Sequence, residues 1–101
     1  ARPAREPEDP ESRRGRDIFV ESECVGCHTI RGVSESGTRG SDLTHLASRD
    51  TIAGVTLDLT RENLRAWIED PDRFKPGVAM PPADLDGADL EALVTYLEGL
   101  R

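Results

Sequence analysis

The stretch Cys24-Val25-Gly26-Cys27-His28 contains both cysteines of the chain and one of its two histidines. A disulfide across two residues would close almost no loop and would stabilise the chain little. Two thiols at this spacing, followed at once by an imidazole, are typical of covalent c-type haem attachment. The thiols add to one edge of the porphyrin, and the histidine reaches the iron. We therefore predict one haem c, bound covalently through Cys24 and Cys27, with His28 as an iron ligand.

Two other kinds of site also use paired cysteines. A zinc site would need a second pair of ligands, and His45 is the one remaining histidine. A thioredoxin-like dithiol belongs to a βαβ unit, and the sequence shows no alternation typical of β-strands. Both interpretations are weaker than haem attachment.

Composition indicates one small domain with little apolar material for a core. Leu, Ile, Val and Phe account for 22 of the 101 residues, and 33% of residues are charged. A porphyrin would supply the missing apolar mass. The formal net charge of −7 argues against nucleic acid and anionic membranes as partners. No uncharged stretch is long enough to span a bilayer, and the chain begins at Ala1 without a signal-like run, which predicts a processed or excised chain.

Apolar periodicity predicts an all-α chain with three main helices, short helical turns and long loops. Residues 1–12, rich in proline and acidic residues, are predicted to be a flexible linker or tail, and residues 13–101 to be the domain. The three helices are predicted at residues 13–24 after Ser12, at 61–70 after Thr60, and at 87–98 after Asp86. We expect a short helical turn over residues 42–48 and an extended or turning strap over the proline-rich residues 71–85.

The second iron ligand has two candidates. Met80 is the only methionine and lies among prolines that would hold its thioether in place, although methionine often only fills gaps in a core. The alternative is His45, which would give two imidazole ligands. Trp67 is at helical spacing from apolar neighbours, so it either packs in the core or lies against the haem. Arg49 either neutralises a haem propionate or is simply solvated.

These segments together resemble class I cytochrome c. The motif is followed by Leu-x-x-Trp-Ile-x-Asp-Pro at residues 64–71, Lys-Pro-Gly-x-x-Met-Pro at 75–81 and Leu-Val-x-Tyr-Leu at 93–97. The likeness covers about residues 15–100. Residues 26–32 and 42–49 are more narrowly similar to the cytochrome c domain of subunit II in caa-type haem-copper oxygen reductases.

The resemblance implies the class I cytochrome c fold, in which three main helices surround one haem. It implies that Gly15 and Phe19 of the first helix cross Tyr96 and Leu97 of the last. It also implies that Trp67 lines the methionine side of the haem.

The resemblance further implies a partner for the proximal histidine. A backbone carbonyl near Ser41 would accept the Nδ1–H of His28 and so fix its tautomer. The family usually has proline after the glycine at this point, whereas this chain has Ser41 after Gly40. The carbonyl is kept, but the stiffness that proline confers is not.

By resemblance, the domain transfers one electron at a time between Fe(III) and Fe(II). It would pass electrons from an external donor, another cytochrome or small carrier, to the copper-containing domain of its own oxidase. The domain itself is then an electron carrier that forms part of a cytochrome c oxidase complex. We expect it at the outer, periplasmic face of the cytoplasmic membrane, as a soluble domain excised from a larger membrane protein.

Two alternatives remain open at this stage. The chain could be a free-standing soluble class I cytochrome c that diffuses between partners. It could also be an enzyme or gas sensor with an open iron site, which a Met80 ligand should block.

Overall fold

The computed structural model describes residues 4, 6–22, 24, 27–34, 37, 40, 42–53 and 57–100. Its elements in chain order are helix α1 (Pro10–Glu21), a 3₁₀ turn (Leu46–Ser48), strands β1 (Thr51–Ile52) and β2 (Leu57–Asp58), and helices α2 (Arg61–Glu69), α3 (Pro71–Phe74) and α4 (Gly87–Glu98). The predicted all-α class is confirmed, with three main helices and long connections. None of the helices in these ranges is long and apolar enough to cross a membrane.

Helix α1 begins earlier than the sequence pattern indicates. The carboxylate of Asp9 accepts a hydrogen bond from the backbone N–H of Ser12 at 2.9 Å, and Pro10 occupies the first helical position. The prediction of Ser12 as the N-cap is therefore wrong. Aspartate is a strong N-cap, and proline suits the first helical position because it has no N–H and a backbone N–H at that position would have no partner within the helix. The helix also ends sooner than predicted, at Glu21.

The starts of the other two main helices are confirmed. The hydroxyl of Thr60 accepts from the N–H of Asn63 at 3.1 Å and caps α2. The carboxylate of Asp86 accepts from the N–H of Asp89 at 2.8 Å and caps α4. Each cap satisfies a backbone donor that has no partner within the helix. These local bonds explain why both starts can be predicted from sequence.

Helices α1 and α4 cross at Gly15. A Cβ atom at that position would come within 2.6 Å of the Cβ of Tyr96 and would overlap the carbonyl oxygen of Ala92. The expected contact between Gly15 and Tyr96 is thus confirmed. Phe19 and Leu93 are each only 1% exposed and belong to the core beside this crossing. Close approach of the two backbones lets a small apolar core exclude water.

A short helix and a pair of short strands depart from the predictions. Pro71–Phe74 forms the short helix α3 within the predicted strap, with the buried Pro71 at its first position. The Lys75 N–H donates to the Pro71 carbonyl at 3.0 Å and closes this turn. Strands β1 and β2 pair antiparallel, Thr51 opposite Asp58 and Ile52 opposite Leu57. Two-residue strands are too short to produce the alternation that identifies a strand in sequence.

The described part of the N-terminal segment contacts the domain. The Ala4 N–H donates to the Arg31 carbonyl at 2.8 Å, and Ala4 packs against the core. The Glu6 carboxylate pairs with Arg16 of α1. The division into a linker at 1–12 and a domain at 13–101 stays a prediction.

Candidate functional site

A cleft of about 540 Å³, counting the space at its open mouth, lies between α1, α2, α4 and the residues around the 3₁₀ turn. The apolar part of its wall consists of Phe19, Leu43, Leu46, Ile52, Ala53, Leu64, Ile68, Leu93 and Leu97. The apolar residues of the predicted helices therefore surround an open space rather than only one another.

Five of the predicted site residues line this one cleft: Cys24, His28, Arg49, Trp67 and Met80. They come from the segment after α1, the loop before β1, helix α2 and the strap before α4. Trp67 and Met80 are partly buried and also pack against the core, so the core and haem-facing readings of Trp67 are compatible. The fold thus brings a thiol, an imidazole, a guanidinium, an indole and a thioether to one space.

The other predicted residues are placed differently. Among the described residues, Cys27 and His45 are not part of the cleft wall. His45 immediately precedes the 3₁₀ turn. Ser41, whose carbonyl was expected near the Nδ1 of His28, lies outside the described residues.

Backbone hydrogen bonds close a turn between Cys24 and His28, the first and last residues of the attachment motif. The His28 N–H donates to the Cys24 carbonyl at 2.8 Å, and the Cys27 N–H donates to the same carbonyl at 3.2 Å. No disulfide joins the two cysteines. This turn holds the three groups of the motif within a single short piece of backbone, as attachment to one porphyrin edge requires.

Two glycines that sequence analysis treated only as loop residues lie directly against His28. A Cβ atom on Gly40 would be 2.5 Å from the imidazole Cε1 and 2.6 Å from Nδ1. A Cβ atom on Gly37 would be 2.6 Å from both the backbone nitrogen and the carbonyl oxygen of His28. Neither position can carry a side chain unless its neighbour moves. The sequence feature that could have indicated this contact with His28 is the three-residue spacing of the two glycines, and such spacing is common in glycine-rich loops.

Hydrogen bonds tie this loop to the residues that follow the motif. The Thr29 hydroxyl donates to the Gly37 carbonyl at 2.6 Å. The Leu43 N–H donates to the Thr29 carbonyl at 2.7 Å, and the Gly40 N–H donates to the Cys27 carbonyl at 2.7 Å. The loop therefore closes around the histidine through backbone contacts.

Asp42 links the same loop to the charged edge of the cleft. Its carboxylate accepts from the hydroxyl and, at 2.9 Å, the N–H of Thr44, and it lies 3.5 Å from the Arg31 guanidinium. The bonds from Thr44, followed by the charge of Arg31, lower the pKa of Asp42. Its backbone carbonyl accepts from the Arg49 guanidinium. Arg49 is thus held at the cleft by a backbone group rather than left free in solvent.

The residues present fit haem c. The cleft is largely apolar, as a porphyrin requires, and its wall carries Cys24 for attachment. Imidazole and thioether are both established ligands of haem iron, and the cleft wall carries one of each, in His28 and Met80. Among the described residues, no three His, Cys, Asp or Glu side chains gather as a separate metal site. A zinc site built on Cys24 and Cys27 would need such a group.

Comparison with solved structures supports the fold. The c-type cytochrome SorU from Sinorhizobium meliloti superposes with a TM-score of 0.62 over 92% of this chain and 93% of that protein, at 22% sequence identity. At this identity the likeness concerns the fold alone. The mostly helical structure has the class I cytochrome c fold.

Comparison with curated proteins identifies similar sequences. The chain is 39% identical to cytochrome c oxidase subunit 2 of Alkalihalophilus pseudofirmus over 95% of its length, and 32% identical to that of Bacillus subtilis over 89%. It spans only 28% and 26% of those two relatives. The sequence model of the cytochrome c family matches residues 12–101. The chain therefore belongs to the cytochrome c family, whose members carry covalently bound haem c.

Proposed function

We propose that this chain carries single electrons through a c-type haem, from a donor protein to the copper centre of a terminal oxidase. The observation that carries the proposal is the joint placement of Cys24, His28 and Met80 on the wall of one apolar cleft. The family and the similarity to oxidase subunits support electron transfer by a c-type haem. The identity of the acceptor, the copper centre of an oxidase, is the part that we add as a proposal.

The residues of the cleft have distinct roles in this proposal. Cys24 and Cys27 would hold the haem by covalent bonds, and His28 and Met80 would bind its iron. When bound, the haem supplies a centre that accepts and releases one electron at a time. A histidine and methionine pair raises the reduction potential of such a centre. If His28 and Met80 both bind the iron, they would leave no position open to small molecules.

The surrounding residues keep the site rigid and dry. Gly37 and Gly40 confine His28, and the apolar wall excludes water from the interior. Arg49 at the cleft would neutralise a haem propionate, and Trp67 would line the side of Met80. A site that changes little between oxidation states loses little energy to rearrangement, which suits rapid electron exchange.

We place this domain in the oxidase because of its relatives. Each spans roughly three to four times the length of this chain, and each is a cytochrome c oxidase subunit 2. We therefore propose that the chain is the cytochrome domain of such a subunit at the outer face of the cytoplasmic membrane, within a larger membrane protein. A connecting segment that precedes α1 would keep it at high effective concentration near its acceptor.

The iron ligands can be tested by absorption spectroscopy of the haem-loaded chain. Met80→Ala should open a coordination position, so the low-spin spectrum is lost and the reduced protein binds carbon monoxide. His45→Ala is the matched control and should keep the low-spin spectrum. An unchanged spectrum in Met80→Ala together with a changed one in His45→Ala would mean that the ligands are two histidines.

Whether this domain is part of a membrane-bound oxidase subunit can be tested in the source cells. Membranes and soluble extract are separated, and proteins are stained for covalent haem after electrophoresis, with an antibody to this domain marking the band. A haem band in the membrane fraction, much heavier than this chain, is expected for an oxidase subunit. A band of the size of this chain in the soluble extract would contradict the oxidase assignment and favour a diffusing carrier.

A further inference from the structure

A second concave surface lies between α1 and the turn at residues 31–33. It encloses about 560 Å³, counting the space open to solvent. We call it the α1 groove, and its residues are Arg16, Asp17, Val20, Glu21, Gly32 and Val33. The cleft described above shares none of these residues.

The apolar part of the α1 groove includes an exposed side chain. Val20 is 47% exposed and is the one large hydrophobic residue that the described part of the chain leaves exposed. Val33 lies across the groove and is partly buried against the core. A partner docked on the groove would remove this apolar side chain from water and pack against it.

The charged part of the α1 groove is negative. Asp17 and Glu21 are both exposed, and their carboxylates make none of the ion pairs found among the described residues. Arg16 is the one cation of the groove, and its guanidinium is already paired with Glu6. Two uncompensated carboxylates therefore flank Val20, and a basic surface would complement them.

The α1 groove also adjoins the functional site along the chain. Glu21 ends α1, and Cys24, which lines the cleft, follows three residues later. A protein docked on the groove would therefore lie next to the cysteine end of the cleft. Electron exchange between proteins uses small, transient contacts, for which a groove of this size is sufficient.

We propose that the α1 groove is the docking surface for the electron donor, a protein that presents a basic patch around an exposed apolar side chain. This inference rests on the proposed function. The donor's apolar side chain packs against Val20, and its lysines or arginines face Asp17 and Glu21. Each transfer moves one electron from the donor to the iron, which changes from Fe(III) to Fe(II), while the donor is oxidised by one electron.

The test uses the haem-loaded chain and a reduced blue-copper protein of net positive charge as the donor probe. Its copper is oxidised from Cu(I) to Cu(II) as the iron is reduced, and its absorption is distinct from that of haem. Stopped-flow mixing gives the second-order rate constant at a series of salt concentrations. An acidic blue-copper protein serves as the charge control, and ascorbate shows independently that the iron can be reduced.

Three variants distinguish the effect of the groove residues on the rate constant from the effect of overall charge. Asp17→Asn with Glu21→Gln should lower the rate constant for the basic probe about three- to tenfold at low salt and flatten its salt dependence. Val20→Ser should lower the rate constant while leaving the salt dependence as in wild type. Asp58→Asn with Glu62→Gln removes the same charge from exposed positions outside the groove and should change little. Thermal unfolding should be similar in all, because every changed side chain is exposed.

The outcomes distinguish the two proposals. Equal slowing by the groove variant and its control would overturn the docking surface, since only net charge would matter. An unchanged rate in both groove variants, with wild type still reduced rapidly by the basic probe, would also overturn it and leave electron transfer intact. Failure of ascorbate and of both copper proteins to reduce the wild-type iron would contradict the proposed function itself.

Discussion

Gly15 and Gly40 each lie where a Cβ atom would overlap a neighbour, but the neighbours are of different kinds. At Gly15 the obstacle is the backbone of α4 at Ala92 together with the Cβ of Tyr96. At Gly40 it is the imidazole ring of His28. A helix backbone held by its own hydrogen bonds cannot shift locally, whereas a side-chain ring can turn. We call α1, α2 and α4 the helical scaffold and residues 27–44 the histidine loop. Substitutions in the helical scaffold should therefore lower the stability of the fold. Substitutions in the histidine loop should instead change the position of the His28 ring.

The largest expected effect is in the helical scaffold. Gly15→Ala should lower the free energy of unfolding by about 3 kcal/mol, because overpacking outweighs the roughly 1 kcal/mol by which alanine favours a helix over glycine. Urea unfolding followed by circular dichroism measures this loss. The remaining folded protein should keep the wild-type haem spectrum.

Gly87→Ala is the matched control for Gly15→Ala. A Cβ atom on Gly87 would meet nothing within 4 Å, so its stability should stay close to that of wild type. A similar loss in both variants would mean that the glycine backbone, and not the crossing of α1 and α4, is responsible.

The next effect concerns the same crossing at high pH. Burial is the main cause that raises the pKa of Tyr96 from 10.0 to about 12. The folded state therefore favours the neutral phenol, so stability is complete below pH 10 and declines as the pH rises from about 10 to 12. With about 1.4 kcal/mol per pKa unit, the loss is on the order of 2 kcal/mol.

Tyr96 is the only tyrosine in the chain, so its substitution isolates this effect. Tyr96→Phe keeps the ring but has no group to ionise, and its unfolding free energy should decline less over the same range. Urea titrations across this pH range measure the difference. Parallel decline in wild type and Tyr96→Phe would assign the pH dependence to other groups.

The histidine loop should show a smaller change in stability and a larger one in the site. Gly40→Ala should cost about 1 kcal/mol, since the His28 ring can turn away from the new methyl group. The turned ring should alter the absorption spectrum and the reduction potential of the haem-loaded chain. A potential equal to that of wild type would contradict the view that Gly40 sets the position of this ring.

The smallest effect is expected at the surface of the scaffold. Arg61 of α2 pairs with Glu91 of α4 at 2.9 Å and also with Glu98, and its side chain is 37% exposed. Arg61→Gln should lower stability by about 0.5 kcal/mol, less at high salt, because exposed ion pairs are screened. Lys75→Gln, an exposed cation outside these pairs, is the control. Chemical unfolding at two salt concentrations tests this, and a loss as large as that of Gly15→Ala would refute it.

Much of the scaffold can be predicted because its signals are local. Thr60 and Asp86 cap α2 and α4 through residues three positions away, so the sequence contains the complete bond. The start of α1 was misplaced because Asp9 and Ser12 are both good caps, and their local patterns compete. The short helix α3 was missed because proline ends one helix and can also begin another.

The haem attachment motif, the three main helices and the candidate ligands can all be read from the sequence alone, because each depends on residues close together in the chain. That Met80, Trp67 and Arg49 share one cleft with His28 is visible only in the folded structure. It also revealed that Gly37 and Gly40 confine that histidine. Those arrangements join segments far apart in sequence, and their positions depend on how the helices pack, which no local pattern contains.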